Sequence, residues 1–536
     1  MSRDEQVFTG TPASAGFAIG PVFCAALAAH GHYQRHKSTD AEYAHLVHTV
    51  ELTMGLTIDM MSKARGDAAD ILEFQAAMLG DDTFRDAAKE LIDNGMAADL
   101  AWSQVLDAEI ENYAQSEEEY FRARTADLID IKDRVLRELR DELEAAIPEN
   151  VIYLADDITP TTFLFHNWTD GGIVLRQGSP TSHVAMLARQ RGVPMVVGIG
   201  SGHIDSGLPS LLDAQAGRFV VEPDDASLRT WKDDWGAFER KATVAARFAP
   251  KPARTADGVS IAVHVNIADP QETEAIDIGH IDGVGLMRTE FLYNSRLPDE
   301  ETQYAAYRKV LLWAGGKPVT IRTADAGGDK PVPGFTEAES NPFLGVRGIR
   351  LCLAKPHIFR VQIRALLRAG VHGNLKIMLP MVSVPDEIEQ ARALFDEEMH
   401  KLKDAGVAFA RPELGIMVEV PSVAITPERF KKAAFFSIGS NDLTQYVMAA
   451  SRDSGALAKI AEPSNPAVLS LIGNVARFGL RNTIPVSLCG DAGSDPALIP
   501  LLLKTGLRSV SVAASRIGMV KAAIAEIDLE GMERSA

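Results

Sequence analysis

Apolar residues change their spacing along the chain, and the changes mark out its parts. Over residues 36–147 they recur at steps of three and four, as in Ile71, Leu72, Phe74, Met78 and Leu79, with almost no proline, which predicts a group of helices. Short apolar runs on either side read as strands, at residues 7–8 and 18–23 before the helices and at 151–154, 172–175, 195–197 and 218–221 after them. Strands on both flanks imply one α/β body interrupted by an insert. The expected division is an α/β unit over residues 1–30 and 149–223, with a helical subdomain over 31–148. A charged helical stretch follows, carrying Leu228, Trp231, Trp235 and Phe238 at steps of three or four and ending at Pro250 and Pro252. It is expected to be a linker helix over residues 224–252.

Beyond it, short apolar strands alternate with helical stretches. Eight strands are expected near residues 261–266, 283–288, 319–323, 376–380, 415–419, 435–438, 486–489 and 509–512. Eight β/α repeats over roughly 280 residues predict a TIM barrel spanning residues 253–536. The fold class is multidomain α/β. Arg288, Arg322, Glu419, Asn441, Asp442 and Cys489 all fall at or just past the C-terminal end of an expected strand, the face on which such barrels carry their chemistry.

Composition narrows the function. The chain has 536 residues, 46% of them hydrophobic, enough for several ordinary cores. No apolar run is long enough to span a bilayer and the start has no signal-peptide layout, so a cytoplasmic protein is expected. Cys24, Cys352 and Cys489 are too few and too scattered for a disulfide framework or a metal cluster. With 54 Lys+Arg against 73 Asp+Glu the net charge is −19, which disfavours nucleic acid and anionic membrane and favours a basic protein partner.

The segment from Gly178 to Arg189 places His183 where a Gly/Ser/Pro turn opens a helix, closed by Gly192 and Pro194. Backbone N–H groups and the positive helix end would suit a phosphoryl group on that imidazole. Histidine is a nucleophile at neutral pH and can take phosphate from one donor and pass it on.

A second segment, Phe435-Phe436-Ser437-Ile438-Gly439-Ser440-Asn441-Asp442-Leu443-Thr444-Gln445 through Arg452, is more specific. Together the two resemble the signatures of the phosphoenolpyruvate-utilising enzymes. The order of segments, from Gly10 to the surroundings of Cys489, is similar to the enzyme I family of the bacterial sugar phosphotransferase system. The resemblance implies transfer of phosphate from phosphoenolpyruvate to His183 and on to a histidine of the phosphocarrier HPr or a paralogue, with release of pyruvate. It also implies a homodimer.

Phosphoenolpyruvate carries a phosphate and a carboxylate, so its site needs guanidinium forks and a divalent cation. Arg288, Arg322 and Arg452 are the expected forks, with Lys330 and Arg347 as further candidates. Glu419 and Asp442 could share one Mg2+ ion. By resemblance Asn441 donates to a substrate oxygen, and Cys489 is the proton donor that turns the enolate into pyruvate. The helical segment from Asp70 to Asp82 resembles the family's carrier-binding helices.

Departures are local. Gly178-Ser179 stands where the family has Gly-Gly, Ser440 stands for a usual threonine, and Thr159-Pro160-Thr161-Thr162-Phe163 leaves the hydroxyl partner of His183 unnamed. Pyruvate phosphate dikinase and phosphoenolpyruvate synthase share the motifs but place a large nucleotide-binding domain ahead of them, for which the family start at Gly10 leaves no room. A regulatory protein without efficient turnover is the alternative of a different class. The complete set of His183, Glu419, Asp442 and Cys489 argues against it.

Overall fold

The computed structural model describes residues 5–25, 33–63, 67–115, 119–142, 147–180, 182–293, 297–328, 332, 334–337, 339–451, 457 and 459–534. The chain divides into two compact units, residues 1–239 and 240–536.

The first unit is built on an eight-stranded sheet. Its strands are β1 (Gln6–Thr9), β2 (Thr11–Ser14), β3 (Phe17–Cys24), β4 (Ile152–Ala155), β5 (Gly172–Leu175), β6 (Met195–Val197), β7 (Pro209–Asp213) and β8 (Arg218–Val221), in the order β1-β8-β7-β3-β4-β5-β6-β2. β3 to β6 run parallel, while β2 pairs β6 and β7 pairs β3 antiparallel. Two of these strands, β2 and β7, escape the sequence pattern. Each contains a proline, which breaks the apolar alternation: Pro12 is tolerated because β2 is an edge strand, Pro209 because it is the first residue of its strand.

Between β3 and β4 the chain forms helices Thr39–Lys63, Asp67–Leu79, Asp82–Asp93, Ala98–Gln115 and Glu119–Leu139. Leu46, Val50, Leu79, Ile92, Trp102, Leu106, Leu128 and Val135 make their shared core. Of the residues whose helical spacing was read from the sequence, Leu79 lies in this core with Phe74 and Met78 half-buried against it, while Ile71 and Leu72 are buried in the core of the α/β body.

Helix Asp225–Phe248 begins on the first unit, where Trp231 Nε1 donates to the Leu212 carbonyl at 3.0 Å and the Trp231 ring meets Phe17 edge-on at 5.9 Å. Its last turns belong to the second unit. There a Cβ on Gly518 would collide with the Ala245 backbone, and Lys521 Nζ donates to the carbonyls of Ala249 (2.7 Å), Lys251 (2.7 Å) and His280 (2.6 Å). One ammonium thereby satisfies carbonyls left over where the helix ends.

The second unit is a closed parallel barrel of β9 (Ala262–Ile267), β10 (Val284–Met287), β11 (Pro318–Arg322), β12 (Asn374–Leu379), β13 (Glu413–Val418), β14 (Phe436–Ile438), β15 (Val486–Leu488) and β16 (Ser509–Ala513). All eight lie within a few residues of the expected positions. The register Ser509↔Ala262 to Ala513↔Asn266 closes the ring. Outward residues such as Val263, Val265, Val319 and Ile321 join the helices in one core, while Leu286, Met378, Met417, Phe435 and Cys489 form a separate buried cluster. Period-two alternation produces this split, one face to the helices and the other inward.

Candidate active site

A cavity of about 370 Å³ opens at the C-terminal ends of the barrel strands. Arg288, Arg322, Asp325, Arg347, Glu419, Asn441, Asp442 and Cys489 are among its lining residues. Of the residues named from sequence, the barrel therefore gathers Arg288, Arg322, Arg347, Glu419, Asn441, Asp442 and Cys489 around one volume, large enough for a small doubly anionic substrate.

Arg322 is the last residue of β11 and is 6% exposed. Its guanidinium pairs with Glu290 at 3.0 Å and Asp325 at 3.1 Å. Burial works against its charge, but Glu290, Asp325 and Glu419 outweigh it, so Arg322 stays a cation. Arg347 is held by the same aspartate: Nε and Nη2 donate to the two Asp325 oxygens at 3.3 and 3.0 Å, and Nη1 reaches Asp442 at 3.3 Å. Asp325 thus fixes two forks at once. Gly327, at φ +104°, permits this, because a Cβ there would stand 2.7 Å from that of Arg347. Arg288 follows β10, half-buried, and its guanidinium has no hydrogen bond or ion pair among the described residues.

Glu419 follows β13 and is 1% exposed, its Oε1 accepting from the Met381 N–H at 2.6 Å. Met381 holds that N–H in place with φ +58°, a left-handed conformation costing a side-chain-bearing residue about 1 kcal/mol or more. Burial, then the charges of Asp325 and Asp442, push the Glu419 carboxyl well above the usual range, with Arg322 opposing. Crowded carboxylates of this kind suit a cation. Among the described residues no group of three or more ligating side chains is assembled, so an ion here would take two protein carboxylates and complete its shell with substrate and water.

Asp442 and Asn441 lie in the first turn of helix Ser440–Met448. Asn441 is held on both sides by Asp491, donating from Nδ2 to the carboxylate at 2.8 Å and accepting from its N–H at 3.0 Å. Cys489 lies directly after β15, 3% exposed. Burial pushes its thiol up to about 11, while a hydrogen bond from Ser437 and the charge of Arg322 act the other way.

His183 opens helix His183–Arg191 in the first unit. Ser182 caps it, accepting from the Ala185 N–H, and Gly192 ends it in the left-handed region at φ 68°. Arg189 ties the preceding turn down by donating to the carbonyls of Ala13 (2.7 Å) and Pro180 (2.8 Å). The turn and helix match the sequence expectation, while the His183 side chain, Thr181, Lys330 and Arg452 lie outside the described residues. In the Thr159–Phe163 segment, the Thr159 and Thr162 hydroxyls bond each other at 2.9 Å and Thr161 donates to Asp130.

Sequence reasoning passed over Glu290, Asp325 and Asp491. Each lies three residues past the end of a strand and two or three residues past a named arginine or cysteine, and that offset was the available signal.

A parallel barrel with arginines, acids and a thiol at its mouth defines an enzyme acting on a small anionic substrate. The chain belongs to the family of phosphoenolpyruvate-utilising enzymes, whose PEP-binding domain matches residues 242–529, N-terminal domain residues 9–124 and mobile domain residues 147–217. It is 37% identical over 486 residues to the phosphoenolpyruvate-protein phosphotransferase of Geobacillus stearothermophilus, covering 88% of this chain and 84% of that protein. The protein of that name from Bacillus subtilis is 36% identical over 482 residues, covering 87% and 84%. The multiphosphoryl transfer protein of Rhodobacter capsulatus is 36% identical over 543 residues, 97% of this chain and 64% of that one.

Proposed function

We propose that the protein takes the phosphoryl group of phosphoenolpyruvate onto His183 and passes it to a histidine of a small carrier protein of the HPr type, releasing pyruvate, as the entry step of a cytoplasmic phosphotransferase system. The observation that carries this reading is the barrel cavity. It combines three guanidinium groups, two adjacent acids and a thiol, the set that a phosphate, a carboxylate, a cation and an enolate each require.

In this reading Arg288, Arg322 and Arg347 receive the phosphate and carboxylate, with Arg452 as a further arm. Mg2+ would be held by Glu419 and Asp442, where it would neutralise charge on the substrate oxygens. Asn441, fixed by Asp491, donates to a substrate oxygen. A ring nitrogen of His183 attacks phosphorus, the bond to the enol oxygen breaks, and the enolate takes a proton on carbon from Cys489. The capped helix behind His183 offers N–H groups to the transferred phosphate. For the carrier, the segment from Ile71 to Asp82 buries Ile71, Leu72 and Leu79, leaving Phe74 and Met78 half-buried beside exposed Glu73, Asp81 and Asp82. Such a surface suits a basic partner. The phosphotransferase reading also implies pairing of two copies.

Labelled phosphoenolpyruvate with Mg2+ should yield a base-stable, acid-labile phosphoprotein and one pyruvate per label, and adding an HPr-type carrier should move the label to it. His183→Ala should take no label. A labelled His183→Ala protein would overturn the assignment.

A further inference from the structure

Inside the barrel two serines face one another in register, Ser437 on β14 and Ser487 on β15. Their surroundings are apolar, with Met417, Phe435 and Cys489 in the adjoining buried cluster. Ser437 is 1% exposed, and a hydroxyl buried there without a partner would cost about 1–3 kcal/mol. Its bonds are directional. Ser487 Oγ donates to Ser437 Oγ at 3.2 Å, which leaves the Ser437 proton for another acceptor. Met417, Ser437 and Ser487 stand in one row across β13, β14 and β15, and Met417 shares its buried cluster with Cys489, two residues beyond Ser487, so the thiol lies along the same inward face as the Ser437 hydroxyl.

The thiol itself points at the Ile438 carbonyl, with sulfur and oxygen 3.6 Å apart, and the same carbonyl accepts from the Cys489 N–H at 3.0 Å. When the thiol gives up its proton the contact with Ile438 is lost, and a thiolate remains in a site where burial opposes it. Arg322 and Arg288 favour that anion and Glu419 disfavours it. A donor hydrogen bond reaching the sulfur is then worth more than it was to the neutral thiol.

We propose that Ser437 is a positioning residue for proton transfer from Cys489, its hydroxyl oriented by Ser487 so that it donates to the sulfur as the thiolate forms. The inference rests on the reading of Cys489 as the acid. In the step, the S–H bond breaks and its electron pair stays on sulfur, while the enolate π pair forms the new C–H bond. The Ser437 proton stays on oxygen throughout, and the thiolate regains a proton from water before the next cycle.

The test uses the full chain and three measurements: pyruvate formation, exchange of solvent deuterium into the methyl group of pyruvate, and phosphoenolpyruvate affinity. Ser437→Ala should slow formation and exchange by about tenfold or more, the factor expected for a lost hydrogen bond to a charged group, and leave affinity unchanged. Ser437→Thr should restore most of the rate. In a Cys489→Ala background, Ser437→Ala should have no further effect. Wild-type exchange in a folded Ser437→Ala protein, or an equal loss with threonine, overturns the inference. Should Ser437→Ala fail to fold, Ser487→Ala decides: slowed exchange at unchanged affinity supports the role, and unchanged exchange refutes it. Cys489→Ala with wild-type turnover sinks the acid and the inference together, whereas an inactive Cys489→Ala beside a normal Ser437→Ala sinks the inference alone.

Discussion

The barrel mouth and the interior of the helical subdomain both bury arginines against acids, and at the barrel mouth these residues line a cavity. At the mouth Arg322 and Arg347 share Asp325, with Glu290, Glu419 and Asp442 close by. In the helical subdomain Arg134 donates to Gln75 at 3.3 Å and Thr57 at 2.9 Å, Gln75 donates to Asp130 at 2.9 Å, and Arg124 pairs with Asp127 at 3.0 Å. The helical network is inward-facing, and its charges serve to hold helices together. Burial of charge alone is therefore a poor sign of chemistry. What separates the two is placement at strand ends around an open volume, where the Arg288 guanidinium has no hydrogen bond or ion pair among the described residues.

The widest gap between the two regions should appear on replacing one arginine in each. Arg322→Met should weaken phosphoenolpyruvate binding by about a hundredfold or more, since it deletes a charged, forked donor, and should destabilise the barrel by about 3–5 kcal/mol by leaving Glu290 and Asp325 short of a partner. Arg134→Met should also lower the melting temperature, but titration calorimetry should find its affinity for phosphoenolpyruvate within twofold of wild type. A loss of affinity in Arg134→Met comparable to that in Arg322→Met would erase the distinction.

Glu419→Gln sharpens the same comparison by separating function from stability. The amide keeps the shape and the bond from Met381 while removing a carboxyl whose ionisation burial, Asp325 and Asp442 all oppose. The metal-free protein should melt at the same temperature or higher, yet need about tenfold more Mg2+ for half-maximal pyruvate formation. An unchanged Mg2+ requirement would remove Glu419 from the proposed ion site, and a lower melting temperature would make it an acid that the fold itself needs.

Much of this was legible in the sequence, for reasons that also explain the gaps. Barrel strands are short, apolar and regularly spaced, so their ends could be located, and each end carried its reactive residue with it. Arg322 and Glu419 could be placed at the barrel mouth from residue type plus position, whereas the role expected of Cys489 came from the family resemblance. The acids that set the arginines could not be identified the same way: Asp325 lies in a loop and Glu290 opens a short 3-10 helix after its strand, where nothing periodic marks which of several acids turns inward. Strands β2 and β7 were hidden by Pro12 and Pro209. In the helical subdomain the apolar stripe was visible, but whether Phe74 and Met78 faced core or solvent depended on how the helices pack, and they lie half-buried.

The smallest expected effect belongs to the helical network and concerns pH. Asp127 is fully buried, Arg124 pairs with one of its oxygens, and Oδ1 has no hydrogen-bond partner. Burial dominates, Arg124 opposes it and Asp130 adds to it, leaving the carboxyl pushed up to about 6. Because the folded-state value lies above the unfolded one, the native state holds its proton more tightly. The stability this provides is complete below about pH 4 and is lost as pH rises through about 6. Asp127→Asn cannot ionise, so its stability should lack this loss. Chemical denaturation of the two proteins at pH 4, 5, 6 and 7 should show the wild type falling behind the variant by about 2 kcal/mol across that window and by nothing further above it. Activity per folded molecule should not change, because the group is buried among the helices and is not among the residues that line the barrel cavity. A gap that stays constant with pH, or one that opens in favour of the wild type, would mean that Asp127 is charged throughout and that Arg124 compensates its burial as fully as Asp325 and Glu290 compensate Arg322.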